Sequence, residues 1–204
     1  TSRVLDDAID DSGLAPLLPY LQTAIGIDNE GIARLRNAIA KGVMRSEYFM
    51  NIANGSVGDS PEEPLAMLLE DIGALPGGVE VALDILFMHL FRDQKEKRVP
   101  GAVVVEVGRN LFVRADFSKK GSNRDFGLKT IIRECLSGEV GESAAKQVCN
   151  SIRSQLERYR VTSHDISAVL KALFETQPFI ALDIFLLPES LCHHIDLFDV
   201  GTPV

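Results

Sequence analysis

The sharpest chemical pairing in these 204 residues is His164-Asp165, an imidazole directly beside a carboxylate. Such a pair can hold a divalent metal, and a metal-bound water is a nucleophile near neutral pH. The same side-chain types occur far off at His89, Asp183 and Asp196. His89 stands 75 positions upstream, so only the fold can bring it to the pair. Asp165 also has a plainer role, because a carboxylate in the first turn of a helix over 163 to 175 suits the helix dipole. A second group, Cys192-His193-His194-Ile195-Asp196, offers thiol and imidazole ligands. Adjacent histidines on a helix point about 100 degrees apart, which favours a polar helix end over one shared metal. Ser143-Ala144-Ala145-Lys146 places a lysine one helical turn from a serine, but no later Ser-x-Asn or Lys-Thr-Gly element accompanies it. No dinucleotide fingerprint, Walker motif, zinc-protease helix or nucleophile elbow occurs, so the sequence assigns no catalytic residue, cofactor or resident metal.

Binding is the alternative to catalysis, and charge is its first pointer. The net charge of −8 divides into −9 over residues 1 to 91, +5 over 92 to 129 and −4 over 130 to 204. Arg92, Lys95, Lys97 and Arg98 form one basic cluster, and Lys119, Lys120, Arg124 and Lys129 form another. These are the side chains that would meet a nucleic acid or an acidic partner. A helix of about 16 residues between the two would hold them roughly 24 Å apart. Phe112, Phe117 and Phe126 read as core residues rather than a base-stacking platform, which leaves solvated loops as the simpler expectation.

The elements that must carry these residues are helical. Ala145, Val148, Cys149, Ile152, Leu156 and Tyr159 mark one face of a helix over 139 to 159. Leu65, Leu68, Leu69 and Ile72 do the same over 61 to 75, with Ser60 as N-cap, Pro61 in the first turn and Glu63 completing a capping box. Further helices are predicted over 163 to 175, over 124 to 136, and over 29 to 41 with Gly42 as its stop. Val81-Ala82-Leu83-Asp84-Ile85-Leu86 recurs 99 positions later as Ile180-Ala181-Leu182-Asp183-Ile184-Phe185, each copy following a short Pro-containing break. Both strings open helices, over 78 to 91 and 178 to 187, that are apolar around most of the axis, as for a helix flanked on both sides. Asp84 and Asp183 mark the narrow exposed strip. The segment 101 to 117 is rich in β-branched residues and is compatible with a hairpin. A helix is favoured, because Val103 or Val104, Val107 and Leu111 share a face.

This recurrence of helix pairs with Pro- or Gly-bearing turns resembles α-helical repeat proteins of the HEAT and armadillo kind over residues 61 to 192, although the units are uneven in length. The resemblance implies a scaffold for a protein or nucleic acid, with no catalytic residues to carry over. His164-Asp165 is also similar to the paired His-Asp of the all-α metal-dependent phosphohydrolases called HD proteins. That implies a metal shell completed by His89 with Asp183 or Asp196, though no Gly or Lys follows the pair here.

The fold expected is all-α, with stacked antiparallel helix pairs in a solenoid-like or irregular bundle. Residues 1 to 58 would form an N-terminal helical subdomain and 59 to 204 a repeat-like domain, with the turn-rich Asn54-Gly55-Ser56-Val57-Gly58-Asp59 between them. That loop is a linker rather than an anion site, since Asp59, Glu62 and Glu63 repel anions. Three widely spaced cysteines fit reduced thiols and a cytoplasmic setting, and no signal or membrane segment is read. The expected function is a non-catalytic interaction module, cut from a longer chain, that binds another protein or another domain of its own polypeptide.

Overall fold

Helix follows helix from Ser2 to Leu186, and no strand occurs among the described residues. The computed structural model describes residues 2–11, 13–53, 57, 60–118 and 124–186. In order these hold α1 (Ser2–Ile9), α2 (Leu18–Ile25), α3 (Asn29–Ala40), α4 (Met50–Ala53), α5 (Glu62–Ala74), α6 (Gly78–Glu96), α7 (Ala102–Val113), α8 (Arg124–Cys135), α9 (Gly138–Glu157), α10 (Ser167–Thr176) and α11 (Pro178–Leu186). Two 3-10 turns, Ala15–Leu17 and Ser46–Phe49, lead into α2 and α4.

From α2 onward each helix packs on the helix two places further along. The even-numbered helices therefore form one layer and the odd-numbered ones another, with α5 against α6, α6 against α7 and α10 against α11 joining the layers. This packing is compatible with a helical repeat architecture, in which each unit buries its apolar face on its neighbours. One contiguous buried cluster runs from Leu5 to Ile184 and includes residues on both sides of positions 54 to 59. Close approach is set by glycine at Gly108, where an added Cβ would stand 2.6 Å from Cys135 Sγ and 3.0 Å from Leu86 Cδ2.

The segment 101 to 117 is helical over α7, with Val104, Val107, Leu111 and Phe112 buried and Val103 exposed. Its β-branched residues serve packing between layers, where a hairpin would leave edges unpaired. The recurring strings agree in part: Ala82 and Ala181 are fully buried and Asp84 and Asp183 exposed, but Leu83 is buried where Leu182 is 43% exposed, so only the first copy is flanked on both sides as expected.

Several helix ends differ from expectation. Ser60 caps nothing; its hydroxyl donates to the Ile27 carbonyl at 3.0 Å and ties the start of α5 to the chain after α2. The helix over 163 to 175 starts later, at Ser167, because Thr162 and Asp165 close a turn of their own first. Tyr159 lies outside the buried face: α9 ends at Glu157 and Tyr159 takes a left-handed φ of 53°. The helix opening at Gly78 extends to Glu96, so Arg92 and Lys95 are helical rather than in a loop.

The thiols of Cys135 and Cys149 are buried, and desolvation pushes each from 9.0 up to about 12. At neutral pH neither is a thiolate, so neither is a nucleophile or a ready metal ligand. The unfolded chain loses these protons near pH 9, whereas the folded protein keeps them to about 12. Stability is therefore full below pH 9 and falls as the pH rises from 9 toward 12. In a Cys192→Ser background both remaining thiols are expected to resist a maleimide at pH 8 until the chain is unfolded in urea. Rapid labelling of the native protein would contradict their burial.

Candidate functional site

The last turns of α6 carry a buried polar group that its apolar surroundings make conspicuous. His89 and Asp93, one helical turn apart, are 2% and 3% exposed. His89 Nε2 stands 3.4 Å from Asp93 Oδ2, yet neither atom makes a hydrogen bond. The other polar atom of each side chain is held. His89 Nδ1 lies 3.4 Å from the Val57 carbonyl, and Asp93 Oδ1 accepts from Arg98 Nε at 2.9 Å.

The chain reversal at the end of α6 places that arginine. Lys97 takes a left-handed φ of 56°, and the Arg98 amide donates back to the Asp93 carbonyl at 2.9 Å, the closing bond of a Schellman-type cap. Arg98 Nη2 also pairs with Glu96 at 2.9 Å, and Arg92 Nε donates to Glu96 at 2.9 Å. The hydrogen bond from Arg92, with the charges of Arg98 and Arg92, holds the exposed Glu96 carboxyl below its usual range.

Glu62 approaches the same place from the first turn of α5. Its Oε1 accepts from the Gly101 amide at 2.9 Å, which links the starts of α5 and α7. An added Cβ at Gly101 would fall 1.5 Å from Glu62 Oε2, so only glycine leaves this carboxylate in place. Among the described residues, Glu62, His89 and Asp93 are the group of histidine, cysteine and carboxylate side chains able to share a metal, with ligand atoms all within 4.8 Å of one another.

The residues singled out from the sequence lie mostly elsewhere. His164 is exposed and is not in that group. Asp165 Oδ2 accepts from the Thr162 amide at 3.2 Å and from its hydroxyl at 2.8 Å in the turn before α10, rather than sitting in the first turn of the helix as expected. Asp183 is exposed on α11, and Cys192, His193, His194 and Asp196 lie outside the described residues. Ser143 and Lys146 are both exposed on α9. Of the basic clusters, Arg92 and Arg98 are engaged by Glu96 and Asp93, and Lys95 Nζ sits 4.6 Å above the Phe91 ring. Lys119 and Lys120 lie outside the described residues, as does the side chain of Arg124.

Phe112 and Phe117 are core residues, but Phe126 is 56% exposed and meets Phe87 and Phe91 edge-on. Glu62 and Asp93 were not marked by the sequence. Asp93 follows the point where the apolar pattern of α6 fades, and the His-x-x-x-Asp spacing within one helix was the signal for it.

Apolar side chains are also exposed toward both ends of the stack. Leu14, Leu17, Leu21 and Ile25 follow one another at helical spacing with Tyr20 alongside, while Leu18, Pro19 and Gln22 of the same helix are buried. On α11, Phe179 is 85% exposed, with Leu182 and Leu186 also open. No helix among the described residues is long and apolar enough to cross a membrane. Compared with known proteins, the chain matches no family model, no curated protein and no solved structure.

Proposed function

We propose that the chain is a non-catalytic helical interaction module of a cytoplasmic protein, docking another protein or another domain of its own polypeptide. The observation that supports this reading is the run of exposed apolar side chains Leu14, Leu17, Leu21 and Ile25, which passes through the 3-10 turn into α2 and borders the buried Leu18, Pro19 and Gln22. Apolar side chains left open in a contiguous run beside a buried stripe mark a surface that a partner can cover. A photo-crosslinking residue at Leu21 should give a protein adduct, within the chain or between chains, that Leu17→Glu abolishes. The same residue at exposed Glu142 on α9 should give none. Equal adducts at both positions, or an adduct indifferent to Leu17→Glu, would overturn the reading.

Nucleic-acid binding has one observation in its favour, the half-exposed Phe126 beside the Phe91 ring that Lys95 covers. It predicts a salt-sensitive affinity for single strands that Lys119→Glu with Lys120→Glu removes. The phosphohydrolase reading through His164, Asp165 and His89 predicts metal-dependent phosphoester cleavage lost in His164→Ala.

A further inference from the structure

We propose that Glu62, His89 and Asp93 form a site for one divalent transition-metal ion of the zinc class, which pins the start of α5 to the end of α6. The geometry carries this. His89 Nε2 and Asp93 Oδ2 are buried, lack hydrogen bonds and face one another at 3.4 Å. Four-coordinate zinc with bonds of about 2.1 Å sets neighbouring ligand atoms roughly 3.4 Å apart, so this pair already spans one edge of such a shell. An oxygen of Glu62 lies within 4.8 Å of both and belongs to a half-buried side chain.

Each ligand is also oriented from behind, as metal ligands are. The Val57 carbonyl faces His89 Nδ1, which fixes the tautomer that leaves Nε2 with its lone pair toward the site. Arg98 holds Asp93 Oδ1, and the Gly101 amide holds Glu62 Oε1. For His89 and Asp93 the atom left over is the one that faces the partner ligand. Two buried atoms without hydrogen bonds cost stability unless something occupies the space between them. A cation satisfies both at once.

One imidazole with two carboxylates suits zinc and its first-row neighbours, whereas Mg2+ and Ca2+ favour all-oxygen shells. Three protein ligands leave a fourth position for water. The role assigned is structural, because two of the three ligands are buried and the site joins α5 to α6 and, through Gly101, to α7. This inference stands apart from the docking surface on α2, and neither depends on the other.

The test is Zn2+ titration of the metal-stripped chain, read by calorimetry and by thermal unfolding, with Mg2+ as the comparison. One equivalent of Zn2+ should bind and raise the midpoint of unfolding, with Mg2+ doing neither. His89→Gln and Asp93→Asn should each weaken binding by more than about 100-fold, and Gly101→Ala, which leaves every ligand intact but displaces Glu62, by about 10-fold or more. If the buried variants do not fold, Glu62→Gln at the half-buried position gives the same reading, with circular dichroism confirming the fold. Equal effects of Mg2+, no shift with Zn2+, or Zn2+ binding that survives Glu62→Gln would overturn the assignment. Binding lost instead in His193→Ala with His194→Ala would overturn it too.

Discussion

Replacing Phe112 by alanine is expected to cost about 3 to 5 kcal/mol, the range for deleting a buried aromatic ring. Phe112 is fully buried on α7, and its ring meets Phe117 edge-on with centroids 5.5 Å apart. Helix α7 sits in the middle of the array, with α5 and α9 as neighbours in its own layer and α6 and α8 in the other. A void there has walls on every side and cannot be relieved by one helix moving into solvent. Domains of this kind are stable by only about 5 to 15 kcal/mol, so a loss of this size is a large fraction of the total. Urea unfolding should show a lower midpoint with an unchanged slope. Val103→Ala, on the exposed side of the same helix, should stay within about 0.5 kcal/mol of the parent. A Phe112→Ala variant as stable as Val103→Ala would refute this placement of α7.

The second large effect is expected at Gly78, where alanine should cost about 3 kcal/mol, the top of the usual range for overpacking. A Cβ built there lies 1.8 Å from the Ile72 carbonyl oxygen and 2.9 Å from its carbon. Both are backbone atoms, so no side chain can swing aside. The turn is closed by the Leu75 amide donating to Ile72 O at 3.0 Å and the Gly78 amide donating to Leu75 O at 2.9 Å. Relief requires opening those bonds and with them the fit of α5 against α6. Gly77 has a different need, a left-handed φ of 68°, which asparagine adopts at modest cost. Thermal unfolding should therefore rank Gly78→Ala well below Gly77→Asn, and the reverse order would contradict this account of the turn.

The helices were largely legible because their apolar periods are long and regular, as in α3, α5 and α8. Their ends were not. Ser60 and Pro61 spell an N-cap sequence, but a hydroxyl has several acceptors within reach, and the Ile27 carbonyl is brought to it only by the tertiary fold. The reach of α6 past Phe91 was hidden because its last turns are charged, held by the Arg92 to Glu96 pair and the reversal at Lys97. That hidden end is where Asp93 joins His89. Glu62 stood in the sequence as a first-turn acid, and nothing in its spacing foretold a tie to Gly101, 39 positions on. Asp165 was legible as a residue near a helix start, but its bond to Thr162, three residues back, delays that start to Ser167.

The recurring Ala-Leu-Asp string sits on α6 in one case and on α11 in the other, five helices apart. Because helices alternate strictly between two layers, an odd step exchanges sides: α6 belongs to the even layer and α11 to the odd. The two copies thus share a buried alanine and an exposed aspartate without occupying equivalent places in the array, α6 lying between α4 and α8 and α11 leaving Phe179, Leu182 and Leu186 open. Parity then becomes a rule for altering this chain. Adding or deleting helices two at a time keeps every later face toward its present side, whereas a single-helix change turns everything beyond it inside out.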